Sequence, residues 1–128
     1  MNRFPLSSHE LAGSNADDIA YIVNPGLNPL TLKACYLSPN LAVAASDTNY
    51  ITVNIKKGAT TIATLNTTVA SGAAHVAGVP QAFTITGTGD DLVFNPGDVV
   101  TVEVSKTGTG PDYAFTCGLQ CEPGREEV

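Results

Sequence analysis

The chain reads as an all-β domain, a jelly roll or related β-sandwich of about eight short antiparallel strands with an extended N-terminal arm. Three observations point there. Short runs alternate in polarity: Val100, Val102 and Val104 share one face, and Val99, Thr101, Glu103 and Ser105 the other, the period of a strand with one buried face. Such runs recur at intervals of roughly 8 to 15 residues, with Gly, Pro, Asn and Asp gathered between them. No amphipathic helix of about ten residues or more is written anywhere.

Residues 1–18 carry no alternation, and they hold Pro5, Gly13, several serines and Asp17-Asp18. They read as an arm that orders on a neighbour, with Phe4, Leu6 and Leu11 as its apolar anchors. A first strand is expected over 19–23, stopped by Asn24-Pro25-Gly26. A second is expected over 30–37, with Leu30, Leu32, Ala34 and Tyr36 on one face, stopped by Ser38-Pro39-Asn40. Residues 41–45 fit a short strand or one turn of helix. Residues 49–57 place Ile51, Val53 and Ile55 inward and Thr52, Asn54 and Lys56 outward.

Lys57-Gly58-Ala59 reads as a hairpin connection into 60–68, a run rich in threonine and β-branched residues that suit a half-buried pleated surface. Residues 70–78 are small and permissive, a long loop or a short helix. Strand resumes over 81–86 through Phe83 and Ile85. In Asn95-Pro96-Gly97-Asp98, proline presets φ at the first central position and glycine supplies the positive φ of a type II turn at the second. The valine strand follows, then Gly108-Thr109-Gly110-Pro111. A last strand over 113–119 has Tyr113, Phe115, Cys117 and Leu119 on one face. The organisation predicted is an arm at 1–18, a sandwich domain at 19–121 and a polar tail at 122–128.

A chain of 128 residues is one domain and buries roughly 70% of its unfolded surface, so it needs neither metal nor disulfide to fold. The 43% hydrophobic and 14% charged content is too apolar for disorder. No apolar run is long enough to span a membrane. The N-terminal residues lack the apolar stretch of a secretory signal, so the product is expected in the cytosol, or released by lysis or assembly. Net charge is −6 and the six basic residues are scattered, which argues against nucleic-acid binding.

Catalytic sets are not apparent, and the chain is read as no enzyme, without cofactor. His9 lies in the arm and His75 in a Gly/Ala-rich stretch, neither beside a nucleophile and an orienting acid. Cys35, Cys117 and Cys121 are an odd number, read as small apolar fillers or free thiols. They lack the ligand spacing of a zinc site. Asp90, Asp91 and Asp98 are weak calcium candidates that would converge at one end of the sandwich, but no twelve-residue calcium loop is present. Asn66-Thr67-Thr68 fits a glycosylation pattern, which is common by chance. Absence of tryptophan weakens a sugar-binding reading without excluding it.

Two segments carry a resemblance. Residues 47–58 (Asp-Thr-Asn-Tyr-Ile-Thr-Val-Asn-Ile-Lys-Lys-Gly) precede Thr61-Ile62-Ala63-Thr64-Leu65, and Pro96-Gly97-Asp98-Val99-Val100-Thr101-Val102 precedes Gly108-Thr109-Gly110. In order and spacing they resemble small structural proteins of tailed bacteriophages: capsid decoration (cement) proteins, or head-fibre domains of similar fold. The resemblance implies a jelly roll, often trimeric, that sits where capsomers meet and clamps the major capsid protein on the virion exterior. The alternative is a receptor- or glycan-binding β-sandwich of a fibre or surface protein.

Overall fold

The computed structural model describes residues 29–108 and 113–123, together with the backbone of 2–5, 9–11 and 17–22; side chains are described from residue 29 on, save those of Tyr113, Ala114, Thr116, Glu122 and Pro123. The strands are β1 (Asn2–Pro5), β2 (His9–Leu11), β3 (Asp17–Ile22), β4 (Leu30–Pro39), β5 (Tyr50–Lys57), β6 (Thr60–Asn66), β7 (Gln81–Ala82), β8 (Thr84–Ile85), β9 (Val93–Phe94), β10 (Val99–Thr107) and β11 (Tyr113–Pro123). One 3-10 turn, Gly89–Leu92, stands before β9, and no α-helix occurs among the described residues.

The strands form two antiparallel sheets. The first runs β1-β11-β4-β7, with β2 beside β1 on the edge of β11 and β9 beside β7 on the edge of β4. The second runs β3-β10-β5-β6-β8. With β1 and β2 counted together as the first strand, the chain crosses between sheets at every step but the β5–β6 hairpin, so that first, last, β4 and β7 lie side by side over β3, β10, β5 and β6. That is the winding of a jelly roll. Both sheets contribute to one core: Leu32, Leu37, Phe94, Phe115 and Leu119 from the first, Ile51, Val53, Ile55, Ile62, Val100, Val102 and Val104 from the second.

Turn chemistry sets the registers. Gly58 takes φ +60° between the paired Lys57 and Thr60, and Ala59 stays at negative φ, so the hairpin has glycine at the first central position as a type II′ turn requires. Gly97 takes φ +85°, Asp98 N donates to Asn95 O at 3.0 Å, and Asn95 N donates to Asp98 Oδ2 at 2.8 Å. The predicted type II turn is there, and its aspartate closes it from both sides. On the outer face of the second sheet, Thr64 Oγ1 donates to Asn54 Oδ1 (2.6 Å), Asn54 Nδ2 to Glu103 Oε1 (3.3 Å), and Lys56 Nζ to Glu103 Oε2 (3.0 Å). This ladder ties β6, β5 and β10 across a face that water also reaches.

Strand β4 and the run 41–45 differ from expectation, and β6 carries a bulge of its own. In β4, Ala34 stands opposite Gln120 but Leu32 opposite Cys121, so Lys33 is the extra residue of a β-bulge. The bulge flips the alternation: Leu30 and Leu32 are buried, then Cys35 and Leu37, while Tyr36 turns outward at 41% exposure. Strand β6 bulges likewise at Ile62, and Ile62 and Ala63 are both buried. The run 41–45 is neither strand nor helix. Only Val43 pairs, in an isolated bridge to His75, and residues 70–78 are a loop.

Stretches of the segment read as an arm pair within the chain. Strand β1 sets Phe4 opposite Leu119 and β2 sets Leu11 opposite Tyr113, so both cover the edge of β11. The side chains of Phe4 and Leu11, Leu6 as a whole, Asn24-Pro25-Gly26, and the tail beyond Pro123 lie outside the described residues. Strand β11 itself runs on to Pro123, past the expected end at 119.

Candidate functional site

The sandwich has two ends of different character. At one, the hairpin β5–β6 meets the 3-10 turn and the Asn95–Asp98 turn. Lys57 Nζ donates to Val93 O (2.6 Å) and Asp90 O (3.0 Å) and lies 3.9 Å from Asp98 Oδ2. Asp91 Oδ2 accepts from Thr88 N at 3.4 Å, capping the 3-10 turn. The weak calcium candidates Asp90, Asp91 and Asp98 are thus at one end, but a lysine ammonium already sits among the oxygens of Asp90 and Asp98. Among the described residues, no group of three or more His, Cys, Asp or Glu side chains is arranged to hold a metal.

At the other end, the loops 40–49 and 67–80 are joined into one surface. Val43 N donates to His75 O (2.9 Å) and His75 N to Val43 O (2.8 Å), Gly78 N donates to Pro39 O (2.8 Å), and Ser46 N to Thr67 O (3.0 Å). Asp47 Oδ1 accepts from Val69 N (2.9 Å) and Ala70 N (3.0 Å). Thr67, fully buried, accepts from Ile51 N through its hydroxyl at 3.0 Å and pins the loop to β5. These bonds fix the backbone and leave apolar side chains outside: Leu41, Val69, Val76 and Val79 are 39%, 63%, 56% and 46% exposed. Sequence reasoning passed over these four. The available signal was a valine-punctuated stretch of small residues with no strand period, whose apolar side chains had no sheet face to fill.

Below this end lies a groove of about 460 Å³ between β6 and β7, lined by Thr64, Leu65, Asn66, Ser71, His75, Gln81 and Thr84 among others. His75 is 3% exposed, and burial holds its imidazole below the ordinary pKa of 6.5, favouring the neutral ring. His9 stands on β2 opposite Phe115, and its side chain lies outside the described residues.

The three thiols are free and buried. Cys35 stands opposite Leu119, and Cys117 and Cys121 flank that leucine on the same inward face of β11. Burial pushes Cys35 up to about 12 and Cys121 to about 11, with the Cys121 thiol adding to the rise at Cys35. Cys117 is raised as well, first by burial and then by Cys35. Thiols held protonated in a core are neither nucleophiles nor metal ligands at neutral pH. They pack as the small apolar fillers their spacing suggested.

No helix among the described residues is long and apolar enough to cross a membrane. Comparison with family models, with curated proteins and with solved structures gave no match in any of the three.

Proposed function

We propose that the chain is a structural virion protein that binds the outside of an assembled phage capsid and stabilises the contacts between capsomers. The observation that supports this most is the loop end: Leu41, Val69, Val76 and Val79 are exposed on loops whose backbone is held by hydrogen bonds. Exposed apolar side chains on a preordered surface suit docking, because little conformational entropy is lost when a partner covers them. The partner in this reading is the major capsid protein, and the working unit is a homo-oligomer, with a trimer expected. Mechanism is burial of surface, repeated at many equivalent sites on the shell, with no reaction and no cofactor. Phe4, Leu6 and Leu11 are proposed to add to the capsid or inter-subunit contact.

The test is co-sedimentation of the purified protein with undecorated capsids of the phage from which the chain comes. Saturable, stoichiometric binding is the expected result, and failure to bind sinks the proposal. Light scattering on the free protein checks the trimer. Because β1 and β2 cover the edge of β11, substitutions Phe4→Ser and Leu11→Ser probe the segment more cleanly than deletion of residues 1–15.

A further inference from the structure

Between Phe83 and Thr84 the chain crosses from the first sheet to the second. Phe83 N still donates to Cys35 O of β4 (2.9 Å), whereas Thr84 already pairs with Thr64 of β6. Pairing of β8 with β6 stops at Thr64, so among the described residues Leu65 and Asn66 at the end of β6 have no strand on their outer side. The groove occupies this fork, under the 71–75 loop. Gly72 makes the loop fit: a Cβ there would collide with the Asn66 backbone and side-chain oxygens.

The lining has a consistent chemistry. Asn66 Oδ1 accepts from Thr68 N (3.1 Å) and Thr68 Oγ1 (2.6 Å), which turns its amide nitrogen away as a donor. The Gln81 amide and the Thr84 hydroxyl have no hydrogen-bond partner among the described residues. Leu65, Ala73 and Ala82 supply apolar wall between them. Among the described residues, no Asp, Glu, Lys or Arg lines the groove.

We propose that this groove binds a neutral saccharide. A carboxylate, phosphate or amine would lose water there without gaining a counter-charge. A purely apolar ligand would bury the Gln81 and Thr84 groups unpaired. A sugar ring fits both demands, since adjacent hydroxyls match the paired donor and acceptor of a side-chain amide and its C–H face suits the leucine and alanines. The neutral His75 ring adds a polar group without charge. The volume lies within the roughly 300–1,000 Å³ of small-molecule sites. This inference goes beyond the capsid reading and does not depend on it.

The experiment is an array of neutral gluco-, galacto-, manno- and N-acetylglucosamine oligosaccharides, with sialylated and sulfated glycans and an extended neutral peptide as competitors. Binding of a neutral glycan is expected, weakened roughly tenfold by Gln81→Ala and by Thr84→Ala at unchanged thermal midpoint, the scale of one lost hydrogen bond. Thr84→Ala removes only the hydroxyl and methyl of an exposed side chain, so it decides the matter alone if Gln81→Ala misfolds. The proposal is overturned by absence of neutral-glycan binding, by binding that neither variant weakens, or by preference for the charged glycans or the peptide. Capsid co-sedimentation by the same variants is expected to stay intact, which separates failure of this site from failure of the docking surface.

Discussion

The two ends of the sandwich use polar groups in opposite ways. At the hairpin end, Lys57 donates to the carbonyls of Asp90 and Val93, Asp91 accepts from Thr88 N and Asp98 from Asn95 N, and the side chains there act as fold. At the loop end, hydrogen bonds hold the backbone while valines, a leucine and uncommitted amide and hydroxyl groups face outward. One end determines the register of the sheets, and the other leaves apolar side chains in solvent. The comparison teaches that a loop can be well ordered and still be unsatisfied at its side chains, which is the condition for recognition without large ordering cost.

The largest effect belongs to the hairpin end. Phe94 is fully buried where β9 meets β4, and Phe94→Ala is expected to cost about 3–5 kcal/mol in equilibrium urea unfolding. Next comes Lys57→Met, which keeps the aliphatic stem but removes the ammonium from the Val93 and Asp90 carbonyls. A loss of roughly 1.5–3 kcal/mol is expected, the range for hydrogen bonds to a charged group. If Lys57→Met is neutral, the claim that this end is locked by its polar contacts fails. Gly97→Ala is a smaller probe of the same end. A Cβ there would meet no atom within 4 Å, so only the positive φ opposes it, at roughly 1–2 kcal/mol.

Those hairpin-end residues were also the most legible ones. Proline, glycine and aspartate act through local φ and local hydrogen bonds, so Asn95–Asp98 and Gly58 could be read from four residues at a time. Strands β5 and β10 were legible for a related reason, an unbroken period of two. Strand β4 was misread in its second half because a single inserted residue, Lys33, reverses the facing, and a bulge is decided by the partner strand rather than by the sequence that carries it. The groove was out of reach altogether. Residues 64–66, 71–75 and 81–84 meet only because β7 and β8 belong to different sheets, and no local pattern announces such a crossing.

Between the two ends in size stands a pH effect at the loop end. His75 is buried and its folded-state pKa lies below 6.5, so on acidification the unfolded chain takes up the proton first. Stability is therefore full above about 6.5 and falls as pH drops below it, because the unfolded state then holds more protons than the folded one. Glu103 adds a separate loss at lower pH. Lys56 and Asn54 hydrogen bonds depress its pKa below the ordinary 4.5, so its contribution is present above that value and disappears as pH falls through the folded one. In thermal melts from pH 8 down to about 2, below the ordinary carboxylate range, His75→Gln should remove the upper step and leave the lower. An unchanged upper step would mean that the loop end does not depend on a neutral imidazole.

The smallest stability change is the most discriminating. Val76→Ser and Val79→Ser alter side chains that are 56% and 46% exposed, so each should shift unfolding by no more than about 0.5 kcal/mol. If these valines are covered in the working assembly, the same substitutions should weaken capsid co-sedimentation severalfold at unchanged melting temperature, because covering each valine removes apolar surface from water only in the complex. The opposite pattern, lost stability with binding intact, would mean that the valines belong to the fold after all. The loop end would then differ from the hairpin end only in its exposure, and not in what it does.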